Sequence, residues 1–390
     1  MLFVRKFESS SAFAQLEPVW RSLEAASSVP FATWDWASVW WSLLREQRVS
    51  TTDSLWIRTV EDSSGATLAI APLMLTRRPS LGPLCVRQLQ FFGADPNLTE
   101  LRGLVAAPGR EREAYQALLE HLAQCADEWD TAMLSGLDDD SFAFALRALP
   151  GSQLLRQVPS YQLELASTWA EFKAGLPRNI KESLRKCHNS LRRDGLSAAL
   201  EVLTRVDEVG AGLDDFFRLH AERSRAAGMV EHPNAFHAAV NQSFLREVCE
   251  HFAARDKLRL FRLRVGGRVV AVRIGFAMGD CLYFYYSGYD LAFAKYSVMT
   301  TALAGALEYA IQEGFTRAHL ATGTDVSKTR WRPIETRLNE VNVASPSARG
   351  QAVHRLFHGL KNAAHRPLFA LPMRLLGRRS TWTPKTEVAG

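Results

Sequence analysis

Several absences narrow the possibilities before any motif is considered. No apolar run reaches the ~20 residues that span a bilayer, so no transmembrane helix is expected. The opening MLFVRKFESS has no apolar segment of the kind found in secretory signals, so export is not expected. The five cysteines (Cys85, Cys125, Cys187, Cys249, Cys281) are scattered, with no CxxC pair and no clustered histidines. That pattern excludes a readable zinc site or disulfide framework and fits reduced thiols in the cytoplasm, with no metal. Acidic residues are missing from Val341 to Thr386, a stretch that carries eight Lys/Arg. Without that tail and Glu387, 39 basic residues face 40 acidic ones, so the net charge of +6 belongs to the C-terminus and is no general signature of nucleic-acid binding.

What is present is ordinary for a globular chain. The 390 residues are 47% hydrophobic and 23% charged, enough for a large core and long enough for two domains. Patterning predicts mixed α/β. A strand at Leu2–Phe7 leads to an amphipathic helix from Ser9–Ser11 to about Ala25, and PFATWDWASVWWSLL reads as a second helix whose Trp34, Trp36, Trp40 and Trp41 are either core or domain-interface packing or an aromatic wall for a ligand. Strands are expected at Ser54–Glu61, Thr67–Thr76 and Leu84–Phe92, with a turn at Pro79–Pro83. A helix at Glu111–Asp127, a strand at Thr131–Ser135, a helix at Ser141–Leu149 and a strand at Leu154–Leu165, interrupted at Pro159, complete this part.

The character then changes. RNIKESLRKCHNSLRR (Arg178–Arg193) is a helix with six Lys/Arg against one Glu, readable either as a solvated face or as a site for phosphates or another polyanion. A strand at Leu196–Thr204 and helices at Asp207–Ala227 and Asn234–Ala254 follow, broken at Gly228 and His232-Pro233. Leu258–Val265, Arg268–Met278 and Cys281–Gly288 form an antiparallel meander with turns at Gly266-Gly267 and Gly279-Asp280. A helix at Thr300–Gln312, strands at Arg317–Ala321 and Glu335–Val343, and a helix at Pro346–Lys361 close the pattern.

The segments PFATWDWASVWWSLL, LPRNIKESLRKCHNSLRRDG, FFRLHAERSRAAG, LRLFRLRVGGRVVAVRIGF, YFYYSGYDLAFAKYS and GTDVSKTRW occur in an order that resembles the CelD/BcsL-like acetyltransferase family of the GNAT superfamily, related to the Fem aminoacyltransferases. The resemblance implies a tandem, FemAB-like α/β fold with mixed sheets. It would comprise an N-terminal GNAT-like half at 1–160, a C-terminal acyltransferase half at 161–345 and a basic amphipathic tail at 346–390. It further implies acyl-CoA as co-substrate, with no covalently bound cofactor. The donor would lie at Ser297, Val298, Met299, Thr300 and Thr301, where this chain has no glycine; Lys328 falls on the family's lysine, preceded here by Ser327 in place of tyrosine.

The remaining site residues follow from acyl-transfer chemistry, which needs a proton acceptor, donors for the developing oxyanion and aligned substrates. The resemblance to the GNAT fold also implies a splayed strand pair, between the meander's third strand and Ala318–Ala321. Alternation places Cys281, Tyr283, Tyr285 and Ser287 on one face and Tyr286 on the other. Tyr285, Asp290 and Lys328 are the catalytic candidates. His220, Arg223, Arg273, Tyr286, Tyr289 and Trp331 are the acceptor-binding candidates. Arg273 interrupts an apolar strand and therefore needs a partner or a ligand; Asp290 is the expected partner, either in a structural pair or as a base. His220 and Arg223 are one helical turn apart and form a substrate-binding or proton-accepting pair. Cys281 has no His or Asp at a readable spacing and is not expected to be a nucleophile.

These readings converge on an N- or O-acyltransferase acting on an amine or hydroxyl of a cell-envelope or exopolysaccharide precursor, or a related small molecule. Two alternatives stand beside it: a Fem-like ligase using aminoacyl-tRNA on a peptidoglycan precursor, and a non-catalytic GNAT-fold binding protein. The expected location is the cytoplasm. The tail HRLFHGLKNAAHRPLFALPMRLLGRRSTW either contacts the inner membrane peripherally or docks on the N-terminal half.

Overall fold

Ser9 caps the first helix through its side chain, which accepts from the Ala12 amide, and from that point the chain builds two units. The computed structural model describes residues 1–79, 85–95, 97–149, 151–225, 234–323 and 325–364, with side chains described to 356. The turn at 80–83, the breaks at Gly228 and His232-Pro233, and the tail beyond 364 lie outside these residues. One unit comprises Met1–Ser27, Phe31–Val158 and the chain from Arg337; the other is built on Pro159–Thr336. No helix among the described residues is long and apolar enough to cross a membrane.

The first unit contains β1 (Phe3–Phe7), α1 (Ser10–Gln15), α2 (Glu17–Glu24), α3 (Trp34–Leu44), β2 (Gln47–Arg48), β3 (Thr51–Leu55), β4 (Ile57–Glu61), β5 (Thr67–Ala71), β6 (Leu73–Pro79), β7 (Cys85–Phe91), β8 (Val105–Ala106), α4 (Glu111–Gln124), β9 (Thr131–Leu137) and α5 (Asp139–Ala148). The two long strands expected at Ser54–Glu61 and Thr67–Thr76 are each divided, at Trp56 and at Pro72, and their halves enter different sheets. Proline has no N–H to give to a ladder, which favours the break at Pro72. β1, β4, β5 and β8 form one sheet. β2, β3, β6, β7 and β9 belong to another, joined by the later part of β16 (Ile334–Ala344) through Asn339–Ala344. The expected helix from Ser9 to Ala25 is two helices, with Pro18 in the first turn of the second. The tryptophans are core: Trp20, Trp36 and Trp40 are buried, Trp41 stacks on Phe92 at 5.0 Å, and the Trp40 indole donates to Asp95. The helix expected at Pro346–Lys361 is α12 (Ala348–Ala364), and Arg349 near its start pairs with buried Asp130 at 2.8 Å, so the beginning of the basic tail is anchored on this unit.

The second unit starts where β10 (Gln153–Glu164) passes Pro159 without stopping, through a register irregularity between Ser160 and Gln162. It contains α6 (Trp169–Gly175), α7 (Arg178–Arg193), β11 (Ala198–Leu203), α8 (Val206–Ser224), α9 (Ala239–Ala254), β12 (Leu258–Val265), β13 (Arg268–Met278), β14 (Cys281–Tyr289), α10 (Val298–Gln312), β15 (Arg317–Thr322) and α11 (Val326–Thr329). Its strand order is β11-β12-β13-β14-β15-β10. The meander has the expected boundaries because Gly266, Gly267 and Gly279 supply positive φ at the two tight turns. Leu260 lies against Gly212 of α8, while the next residue, Phe261, meets Tyr309 of α10. Successive residues of a strand face opposite ways, so α8 and α10 cover opposite faces of the sheet.

Candidate functional site

The second unit's sheet opens between β14 and β15. These strands run parallel and pair only at Cys281↔Arg317, Leu282↔Ala318 and Tyr283↔His319. β14 continues to Tyr289, and β15 turns its other edge to β10. From Phe284 to Tyr289 one edge of β14 therefore has no strand beside it among the described residues, and the expected opening is present there. Backbone amides on such an edge are available to a ligand carbonyl.

A bulge lies in the same stretch. Arg273 is opposite Ser287, but two residues on, Gly275 is opposite Phe284, so β14 carries one residue more than β13. Strict alternation of the tyrosines fails here. The Tyr285 and Tyr286 rings meet at 4.6 Å and 90°, Tyr285 toward Phe276 and Tyr286 toward His220 and Phe236.

His319 sits at the last paired position before the opening, a residue that the sequence patterning passed over. Its ring stacks on Tyr283 at 4.3 Å, and its Nδ1 accepts from the Ala321 amide at 3.0 Å. The ring proton is therefore on Nε2, 2.7 Å from the Ser160 hydroxyl. Burial, and then the charges of Lys328 and Arg317, lower its pKa to about 3. Ala321 itself has a φ of 65°, a strained conformation for a residue with a side chain. A lone histidine between the apolar residues Ala318 and Leu320 was the available signal. Lys328 lies just beyond, its Nζ donating to the Thr322 carbonyl, on a helix whose N-cap is Asp325. The Cys281 thiol is buried and pushed up to about 11.

His220 and Arg273 both neighbour Ser287, His220 at its carbonyl and Arg273 as its partner across the β13–β14 ladder, while Arg223 lies by Tyr289. The α8 helix approaches β14 so closely at Gly288 that a Cβ there would stand 2.7 Å from the His220 amide nitrogen. This contact sets His220 Nδ1 3.3 Å from the Ser287 carbonyl. A carbonyl only accepts, so the proton is on Nδ1. Burial, only partly offset by that bond, lowers the imidazole pKa to about 4. Nε2 is then a bare lone pair, buried and without a partner among the described residues. One turn on, the Arg223 guanidinium lies 5.3 Å from the Tyr289 ring centroid. Arg273 lies over Phe284 at 5.5 Å, and its buried Nε has no hydrogen bond among the described residues. Burial, together with the neighbouring charge of Arg223, lowers its pKa to about 10, with Asp325 opposing.

Asp290 is not Arg273's partner. One of its oxygens accepts from the Ala292 amide at 2.9 Å, and the other lies 2.6 Å from Arg268 as an ion pair. The chain turns away from the sheet immediately after Tyr289, into the 3-10 turn Leu291–Tyr296, and Asp290 caps that turn. A carboxylate engaged on both oxygens is poorly suited to act as a base. Trp331, expected at the acceptor, is instead 3% exposed and packed in the core with Leu320, Phe284 and Leu307.

The α10 start is the donor candidate. Ser297 takes the left-handed conformation at φ 52°, filling with serine a position that favours glycine. The Val298 and Met299 amides at the helix start have no intrahelical partner. The Thr301 hydroxyl is buried and has no partner among the described residues. The basic helix α7 lies alongside: Cys187 Sγ is 3.9 Å from the Ser297 carbonyl, and Asp194 accepts from Tyr296 at 2.7 Å. Arg185, Lys186, Arg192 and Arg193 of α7 are exposed. Donor amides, hydroxyls and surrounding positive charge suit a phosphate. Among the described residues no group of His, Cys, Asp and Glu could hold a metal ion. A pocket of about 250 Å³ in the first unit, lined by Arg102, Ser135, Arg156 and Glu340 among others, contains none of these residues.

Comparison with known proteins agrees with this geometry. Residues 178–329 match the family model described as an acetyltransferase (GNAT) domain. The matched segment holds the opening, the α10 start and the His220–Arg273 group, and it is an acyltransferase domain. A search of curated proteins finds no match. Among solved structures, FemX is similar over 87% of this chain and 98% of its own, at 11% identity and a TM-score of 0.57. A conserved protein of unknown function from Bacteroides thetaiotaomicron VPI-5482 is similar over 87% of this chain and 100% of its own, at 11% identity and a TM-score of 0.52. These likenesses show the fold, which is the expected mixed α/β, Fem-like one.

Proposed function

We propose that the second unit transfers an acyl group from acyl-CoA to an amine or hydroxyl of a small molecule or saccharide, a cell-envelope or exopolysaccharide precursor being the favoured class. The observation that carries this reading is the opening between β14 and β15 within the segment that matches the acetyltransferase model. The donor's phosphates would rest on the Val298 and Met299 amides and the Ser297, Thr300 and Thr301 hydroxyls, and its acyl carbonyl would accept from the open edge of β14. Coenzyme A supplies the activated thioester. His220 Nε2 would accept the proton lost by the attacking amine or hydroxyl while the carbonyl carbon's bond to sulfur breaks and the thiol leaves. His220 is available for this task because its imidazole is neutral at pH 7 and Nε2 has no hydrogen-bond donor among the described residues; its lowered pKa makes it a weak base, so the reading relies on close positioning of the attacking group. Lys328 and Tyr285 complete the proposed catalytic group, and Tyr286 and Tyr289 line the acceptor side.

The test combines thermal-shift measurements with acetyl-CoA and longer acyl-CoAs and a free-thiol assay over a panel of amines, amino sugars and polyols. His220→Gln should lower kcat at least ~100-fold, in the range of a lost general base, with little change in donor binding. Unchanged turnover in that variant would remove His220 from the mechanism, and a protein that binds none of the donors would instead fit a non-catalytic role. A second reading rests on the exposed cations of α7 beside the α10 start, which suit a polyanion such as aminoacyl-tRNA, used as a Fem-like donor for a peptidoglycan precursor. Steeply salt-dependent binding of charged tRNA, with no response to coenzyme A, would select it.

A further inference from the structure

Charge on this chain is segregated. The helix α7 and the stretch from Val341 to Thr386 together hold 14 Lys/Arg and one acid, Glu182. Taking these from the totals of 47 and 41 leaves 33 basic residues against 40 acidic ones, so the rest of the chain is net negative. Within α7 the cations do not serve the helix. It begins with Arg178 and Lys181 and has no acid in its first turn, against the preference of the helix dipole, and Lys181 and Arg185 are like charges four residues apart. Its one acid, Glu182, is held by Arg178 at 2.7 Å, and Asp194, just past its end, by Arg193, Tyr296 and Lys295. Lys181 donates to the Ala174 carbonyl. Arg185, Lys186 and Arg192 are exposed and make no hydrogen bond or ion pair among the described residues. Ile180, Cys187 and Leu191 bury the other side of the helix. Arg178, Arg185 and Arg192 recur every seven residues, and Lys186 and Arg193 do the same beside them, so the cations form an outward ridge about 24 Å long. Such a ridge repels itself and gains nothing inside the fold; it gains from an anionic partner.

We infer that the outward face of α7 is a docking surface for an anionic lipid membrane, which the C-terminal stretch engages as a second contact. A row of exposed cations meets the phosphates of a flat lipid surface along its whole length, and a net-negative body is repelled by the same surface, which sets the orientation. The sequence from His365 to Lys385 favours a membrane over a nucleic acid. It sets Arg366, Arg374, Arg378, Arg379 and Lys385 among leucines, Phe369, Met373 and Trp382. Apolar side chains between cations gain by entering a bilayer interface, whereas a phosphate backbone rewards the cations alone. That stretch lies outside the described residues, but the chain leading to it is fixed to the first unit where Arg349 pairs with Asp130. On the inner side of α7, Cys187 touches Ser297 at the α10 start. Only the thickness of one helix, about 10 Å, therefore separates the docked lipid from the candidate donor site. The inference stands apart from the transfer chemistry and adds where it takes place: at a membrane surface, on acceptors presented there.

The experiment is co-sedimentation of the full chain with vesicles of phosphatidylcholine alone, or of phosphatidylcholine mixed with phosphatidylglycerol, read as the lipid concentration at half binding. Wild type should bind the mixed vesicles and leave the neutral ones, and added salt should weaken the binding. A cation at an anionic surface contributes roughly fivefold, so Arg185→Gln, Lys186→Gln and Arg192→Gln combined should weaken binding about 100-fold. Arg185→Lys with Arg192→Lys keeps the charge and should bind as wild type does. Arg374→Gln, Arg378→Gln and Arg379→Gln combined should weaken binding independently of α7. Circular dichroism and thermal melts check that each variant is folded; should the α7 triple variant fail to fold, Arg185→Gln alone still reads the roughly fivefold step. The inference is overturned if wild type does not prefer the mixed vesicles, or if the folded α7 variant binds them as tightly as wild type. Total tRNA offered as a second probe that binds while the mixed vesicles do not would also overturn it, and would select the aminoacyl-tRNA reading of the same cations.

Discussion

His319 should make the second unit acid-sensitive in a way that can be measured. Its ring is clamped on three sides, by Tyr283, the Ala321 amide and Ser160. Protonating Nδ1 would turn the acceptor of the Ala321 N–H into a second donor facing it. The folded pKa of about 3 lies below the ordinary value of 6.5. Between those limits the unfolded chain binds a proton that the native state does not, so stability falls as pH falls through the window and is unaffected above it. At pH 5 the deficit for this one group is about 2 kcal/mol relative to pH 8, on the linkage relation. His220, with its pKa near 4, adds a similar amount in the same direction. Urea unfolding of wild type and His319→Gln at the two pH values should show the variant losing roughly 2 kcal/mol less on acidification, whatever its absolute stability. The His319 imidazole, followed by NMR, should stay in one neutral tautomer down to about pH 4, as the depressed value requires. A titration midpoint near 6.5, or identical pH slopes for the two proteins, would refute the reasoning.

Two further outcomes follow from close contacts in the same unit. Gly288→Ala places a Cβ 2.7 Å from the His220 nitrogen and 3.0 Å from the Leu219 carbonyl carbon, both backbone atoms that cannot swing aside. It should cost about 1–3 kcal/mol in thermal denaturation and should reduce turnover by pulling His220 off Ser287; a stable, fully active variant would show that α8 has slack here. Asp290→Asn keeps a cap for Ala292 and loses only a pair with an arginine whose side chain is 59% exposed. Its stability should change by under ~1 kcal/mol and its turnover by less than about threefold, and a large loss of kcat would restore Asp290 as a base.

Local pattern made most of the second unit legible. The meander's ends came from Gly266-Gly267 and Gly279-Asp280, and α7 from its charges and its Pro177 and Gly195 flanks, because each of these signals acts within a few residues. What stayed hidden depends on pairing across the chain. The extra residue on β14 exists only relative to β13, so the alternation of Tyr283, Tyr285 and Ser287 could not disclose that Tyr285 and Tyr286 turn to neighbouring rings. The separation of β5 from β6 was signalled by Pro72, but an apolar run through Thr76 outweighed it. Arg273 was recognisable as a charge out of place, whereas its partner was not. Asp290 looked available by sequence distance, yet the left-handed Ser297 and the 3-10 turn before it take the chain away from the sheet. His319 was missed for the opposite reason: its neighbours Ser160 and Ala321 come from β10 and its own strand end, and neither announces a site alone.

The distribution of unmet polar groups favours the opening as the working part of this unit. Buried polar atoms without hydrogen bonds include Arg259 Nε, Arg262 Nε and Asp290 Oδ2, but each of those residues has an ion pair elsewhere on the same group. His220 Nε2, Arg273 Nε and the Thr301 hydroxyl have no such compensation. Each would cost about 1–3 kcal/mol if nothing ever completed it. His220 Nε2 is an acceptor whose complement is an N–H or O–H donor, and the Thr301 hydroxyl lies beside two helix-start amides, whose complement is a phosphate. An attacking amine or hydroxyl and a phosphorylated donor, as proposed above, would meet these two, whereas a purely structural role for the unit leaves them unanswered.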